Sequence, residues 1–283
     1  MLFRIKNPLF ILLLILTAAV IVAGQDPPEA DESKPAPTPT PVATPMPLSA
    51  DEAREASKNP TAEQIVETTI FLSGFGGGRT TLNQIRRTAL ERGRISVRNG
   101  EGKMDEAAYQ KWTTRGDSLA NAKVRMEHEN PSARYSLVYA DDKTFGIFNG
   151  SVFKPTDEAA RAFRNQIFFG LESLLRYKEN GSTLTLVGRE KVAGVDFHVV
   201  DLVDKQDRKI RYYISAKSFR VMFLEYEDAG VKYRRKFYDY NVAQGTLAPF
   251  RIVLFADGKV VEETEIGTVT YGQKIDDSLF SAN

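Results

Sequence analysis

Apolar residues fall into three regimes along this chain. From Leu9 to Ala23 they run almost unbroken, relieved only by Thr17. After residue 60 they recur first at helical spacing and then in alternation with polar residues. A second helical stretch divides the alternating part. Ile65, Val66, Thr69 and Ile70 share one face of a predicted helix, which Thr61 and Gln64 open as a capping box. Gly74-Phe75-Gly76-Gly77-Gly78 stops it. Further on, Thr156 is the expected N-cap of a second helix. Asp157 and Glu158 lie in its first turn, and a broad apolar stripe runs from Phe163 through Ile167, Phe168, Leu171 and Leu174 to Leu175. Asn180-Gly181 is its expected end.

Between and after these helices the period is two. Ile95 and Val97 share a strand face. Val124, Met126 and His128 alternate with charged neighbours, as do Tyr135, Leu137 and Tyr139, and Phe145 and Ile147 follow the Asp141-Asp142 turn. Beyond the second helix, strands are expected at Thr183–Lys191, Val195–Val203, Lys209–Ile214, Phe219–Tyr226, Val231–Tyr240, Phe250–Phe255 and Lys259–Tyr271. The pattern predicts about ten or eleven antiparallel strands and two main helices, a mainly β (α+β) chain. Several strands carry aromatics on one face, among them Phe197, Tyr212, Phe219, Phe223, Phe237 and Phe250. A twisted sheet curling around helices without closing would leave an apolar cavity.

The amino-terminal stretch changes the picture of where the chain works. Arg4 and Lys6 precede the apolar run and Val22-Ala23-Gly24 follows it, the pattern of a secretory signal; an uncleaved membrane anchor is the alternative. Residues 1–25 are therefore expected to be a signal peptide or N-terminal anchor, residues 26–58 a Pro-rich disordered linker, and residues 59–283 one folded domain. The expected location is the periplasm or cell envelope, with tethering to the inner membrane if the anchor is retained.

Composition narrows the chemistry. The 283 residues carry a net charge of +1, which gives no reason to expect nucleic acid. Without cysteine there is no disulfide, thiolate nucleophile or lipidated N-terminal Cys. The glycine run lacks the Gly-Lys-Ser/Thr ending of a phosphate loop and follows a helix. His128 and His198 are the only histidines, and neither sits in a metal-binding spacing. Scattered carboxylates and serines outside Gly-x-Ser-x-Gly suggest no catalytic set, metal or cofactor. Lys232, Arg234, Arg235 and Lys236 read as a solvated outer strand face, or as a docking patch for lipid head groups or an acidic partner.

The order of these elements resembles the outer-membrane lipoprotein-sorting proteins LolA and LolB, and the related lipid-binding domain of RseB/MucB-type regulators. The likeness rests on Lys209-Ile-Arg-Tyr-Tyr-Ile-Ser-Ala-Lys-Ser-Phe-Arg-Val, Phe237-Tyr-Asp-Tyr, Ala248-Pro-Phe-Arg-Ile, Asp257-Gly258 and Ile275-Asp-Asp-Ser-Leu-Phe280. It covers most of residues 60–281. The resemblance implies an unclosed β half-barrel with a helical lid over an apolar cavity that takes acyl chains of a lipid or lipoprotein. It implies a non-enzymatic carrier. The alternative is a membrane-tethered regulatory or structural protein using the same fold to bind an envelope protein. Expected cavity residues are Tyr135, Leu137, Tyr139, Phe145, Ile147, Phe163, Ile167, Leu171, Phe197, Tyr212, Phe223 and Phe250.

Overall fold

A computed structural model describes residues 59–130 and 133–282; the signal or anchor and the Pro-rich linker expected before residue 59 lie outside the described residues. Thirteen strands form one antiparallel sheet. The first six are β1 (Thr88–Arg98), β2 (Met104–Thr114), β3 (Lys123–Asn130), β4 (Ala133–Ala140), β5 (Lys143–Phe148) and β6 (Ser151–Phe153). The other seven are β7 (Thr183–Val192), β8 (Val195–Val203), β9 (Lys209–Ser215), β10 (Val221–Asp228), β11 (Val231–Ala243), β12 (Thr246–Ala256) and β13 (Lys259–Tyr271). Each group is a meander, and the pairing of β1 with β13 fuses the two into a continuous sheet that does not close into a barrel.

Among the described residues four α-helices accompany it: α1 (Ala62–Ser73), α2 (Gly78–Ile85), α3 (Asp157–Phe168) and α4 (Leu171–Leu175). The capping box at α1 forms as its residues require: Gln64 N–H donates to the Thr61 hydroxyl, and the Thr61 N–H donates to the Gln64 side chain. Gly74 ends α1 in a turn so tight that a Cβ there would lie 2.4 Å from the Gly78 carbonyl oxygen. Thr156 caps α3 through the Ala159 N–H.

The expected second helix is two helices. Its stripe breaks at Phe169-Gly170, where Gly170 is extended, and α4 restarts at Leu171. Two strands and one helix escape the sequence pattern. In β2 the apolar residues are spread over both faces among Lys, Gln and Thr. The edge strand β6 has only three residues, and α2 begins inside the glycine run.

Helices pack on one face, here the inner one. The largest core joins Ile65, Val66 and Ile70 of α1 and Leu174 of α4 to Val200, Tyr212, Leu224 and Phe237. A second inner cluster sets Phe163 and Phe168 of α3 on Ile95, Met126 and Tyr139. The outer face is apolar in two places. Phe197, Tyr213 and Phe223 form one cluster; Val138, Phe145, Ile147 and Phe280 form the other, with Phe280 supplied by the C-terminal 3-10 turn. The aromatics expected on a single face are thus divided, because alternation along the paired strands β8 and β9 puts Phe197 outward and Tyr212 inward, and a bulge in β10 between Val221 and Phe223 puts Phe223 outward.

Candidate functional site

Helices α3 and α4 roof a cavity of about 240 Å³ against β1, β2 and β11–β13. Its apolar wall comes from Phe163 and Ile167 of α3, Leu171 of α4, and Val124, Phe237 and Ile252 of the sheet. The rest is polar. Glu91 of β1 accepts from Lys111 at 2.8 Å and from the Tyr109 hydroxyl at 2.7 Å. Glu172 of α4 bridges Arg86, at 3.0 Å, and Arg115. Burial would raise the Glu172 pKa, but the charges of Arg115, Arg86 and Arg176 outweigh it and hold the carboxyl down to about 2. The lining is therefore amphipathic rather than purely apolar.

Arg235 is the central side chain of this wall. It is 5% exposed, and Nη1 donates to the Phe169 carbonyl at 2.8 Å and the Gln166 carbonyl at 3.4 Å. Its Nε and Nη2 have no hydrogen-bond partner among the described residues. Arg176, equally buried, gives Nη2 to the Gly116 carbonyl at 2.6 Å and leaves Nε without one. An unpaired buried donor costs about 1–3 kcal/mol, so these guanidinium groups are poised for acceptors.

Polar contacts add to the apolar packing that holds the roof on the sheet. Asn165 donates to Asp228 at 2.8 Å, Gln166 to Glu262 at 2.9 Å, and the Tyr212 hydroxyl to the Gly170 carbonyl at 2.8 Å. Phe169 stacks on Tyr226 with ring centroids 4.1 Å apart. Burial raises the pKa of Glu262, against the opposing charge of Arg235.

Of the residues expected to line a cavity, Phe163, Ile167 and Leu171 do so. Tyr139 and Tyr212 are inner-face core, with Leu137 packed beside Tyr139; Tyr135 stacks on His128 at 5.0 Å. Phe145, Ile147, Phe197 and Phe223 lie in the outer clusters, and Phe250 is half-buried in β12 outside the lining. The cavity arginines were not foreseen. Parity could have found Arg235: Tyr233, Arg235 and Phe237 share a strand face, while Lys232, Arg234 and Lys236 occupy the other. Those three line an open groove at the hairpin end, where Arg234 pairs with Glu225. His128 is half-buried, and desolvation lowers its pKa to about 4. His198 stacks on Phe219.

No family model and no curated protein sequence matches the chain. Solved structures do. A DUF1329 family protein from Desulfovibrio piger aligns with a TM-score of 0.54 at 13% identity, over 75% of this chain and 97% of that one. A LolA superfamily protein from Nitrosomonas europaea gives 0.53 at 12% identity, over 78% and 97%. A putative outer membrane lipoprotein-sorting protein domain from Vibrio parahaemolyticus gives 0.51 at 11% identity, over 68% and 88%. The fold is LolA-like.

Proposed function

We propose that this LolA-like chain is an exported, non-enzymatic carrier of the cell envelope, which holds the acyl part of a lipid or lipoprotein beneath the α3–α4 lid. The observation that carries the reading is the partly apolar cavity under a roof that combines apolar packing with separate polar contacts. Ligand pockets commonly enclose about 300–1,000 Å³; at about 240 Å³ this partly open cavity falls short of that, so seating a whole acyl chain requires the lid to move.

The energies make such movement plausible. A buried methylene contributes about 0.8 kcal/mol, so about eight methylenes give roughly 6 kcal/mol. A neutral hydrogen bond contributes about 0.5–1.5 kcal/mol net. An acyl chain can therefore displace several lid contacts, and their re-formation can assist release. The lipoprotein-sorting neighbour from Vibrio supports this assignment by its fold.

Locking the lid tests it. The chain has no cysteine, so Gln166→Cys with Glu262→Cys places a unique thiol pair across a native contact. Joined by a short thiol cross-linker, the protein should exclude a fluorescent fatty acid that the unlinked form takes up. Equal uptake by both forms would remove the lidded cavity as the binding site.

A further inference from the structure

The charge around this cavity is unbalanced. Its lining contains five cations, Arg86, Lys111, Arg115, Arg176 and Arg235, against the carboxylates of Glu91 and Glu172. Glu262, joined to the lid through Gln166, adds a third carboxylate. Lys111 is satisfied by Glu91, and Arg86 and Arg115 share Glu172. Arg176 and Arg235 make no ion pair within 4.0 Å among the described residues, and both are 5% exposed. Backbone carbonyls fix one nitrogen of each, from Gly116 for Arg176 and from Phe169 for Arg235. Nε of Arg176 and Nε and Nη2 of Arg235 have no hydrogen-bond partner among the described residues.

A fold with an apolar task alone has no use for such groups. Glu172, Glu179 and Asp117 act on Arg176, and Glu262 on Arg235, only from beyond ion-pair distance. A buried guanidinium without a direct ion pair is costly, and an oxyanion is the acceptor that satisfies it best, through charge-assisted hydrogen bonds. Phe163, Ile167 and Leu171 border the same cavity, so one molecule can offer a chain to the apolar wall and an anion to the arginines.

We infer that the cargo is an anionic amphiphile, a single-chain or acyl lipid whose carboxylate or phosphate is received by Arg176 and Arg235 while its tail lies along α3 and α4. This rests on the carrier reading and adds the chemical class of the head group. Binding takes place as the lid shifts, which brings the enclosed donors within reach of the anion. Neutral amphiphiles of the same length lack the acceptor charge and bind more weakly.

Equilibrium dialysis of the full chain against palmitate, hexadecyl phosphate, hexadecanol and inorganic phosphate separates the alternatives. At least one anionic amphiphile is expected to bind roughly tenfold or more tightly than hexadecanol, the range of a charge-assisted hydrogen bond. Arg176→Gln and Arg235→Gln should each reduce that preference while hexadecanol binding persists. Palmitate binding alone would assign a carboxylate, and hexadecyl phosphate binding alone a phosphate head group. Equal affinity for hexadecanol and both anions would overturn the inference and leave the carrier reading standing. No binding of any amphiphile would overturn both. Inorganic phosphate binding as tightly as hexadecyl phosphate would also overturn it, by making the site one for a free anion.

Discussion

Arg235 of β11 donates to the carbonyl of Phe169 at 2.8 Å, at the point where α3 ends. Tyr212 of β9 takes the next carbonyl, that of Gly170, at the same distance. Two neighbouring main-chain acceptors at the break between α3 and α4 are thus held from the sheet below. The break in the apolar stripe and the fastening of the lid are one feature.

Replacing Arg235 with Met should free this break. Amide hydrogen exchange between residues 166 and 175 is expected to quicken roughly tenfold, the loss of a charge-assisted hydrogen bond. Exchange in β8 and β9 should not change. Uniform acceleration across the sheet would show that Arg235 supports the whole fold rather than the lid.

Tyr212→Phe leaves the Gly170 carbonyl without its donor and should cost about 1 kcal/mol in urea unfolding. With Arg235→Met the effects should be non-additive, since both act on adjacent peptide groups. Strict additivity in the double-mutant cycle would argue for independent roles.

The two carboxylates near the lid should respond to pH with opposite signs. Glu172 is held at about 2 against an ordinary 4.5, so its contribution is complete above 4.5 and is lost as pH falls toward 2. Glu172→Gln should lower stability at pH 7 and flatten this acid limb. Glu262 is shifted upward by burial, so its ionised form opposes folding above its folded pKa. Glu262→Gln should raise Tm at pH 7, and the gain should vanish as pH falls through 4.5, where the native carboxyl is also neutral. Thermal melts across this range read both, and a loss at pH 7 for Glu262→Gln would contradict the assignment.

Leu174 is fully buried in the inner core beneath the lid. Leu174→Ala should cost about 2–5 kcal/mol in urea unfolding at unchanged slope. A smaller loss would mean that α4 packs less firmly than its burial indicates.

Local signals were the most legible part of this chain. Thr61 with Gln64 and Thr156 with Ala159 act within one helical turn, so their chemistry is complete in the sequence. Strands with regular alternation, such as β8 and β9, were equally readable. By contrast, β2 gains its place from pairing with β1 and β3, and Asp105 to Ala108 in its first half carry little strand preference. The outward turn of Phe223 depends on the bulge in β10, a one-residue slip that alternation does not reveal. For the site, α3 and α4 supplied the apolar residues that the stripe announced. Arg86, Arg115, Arg176 and Arg235 come together only through the fold, and an arginine in a run of cations looks like surface until its strand parity is counted.

The central claim is cargo beneath the lid, and native mass spectrometry of the chain purified from a bacterial envelope tests it most directly, followed by organic extraction of what it holds. The account predicts a stoichiometric mass increment from a lipid or acylated ligand, lost when the Gln166–Glu262 cross-link closes the lid before loading. A clean unliganded mass, with no uptake of added fatty acid, would contradict it and favour a domain whose partner is another envelope protein.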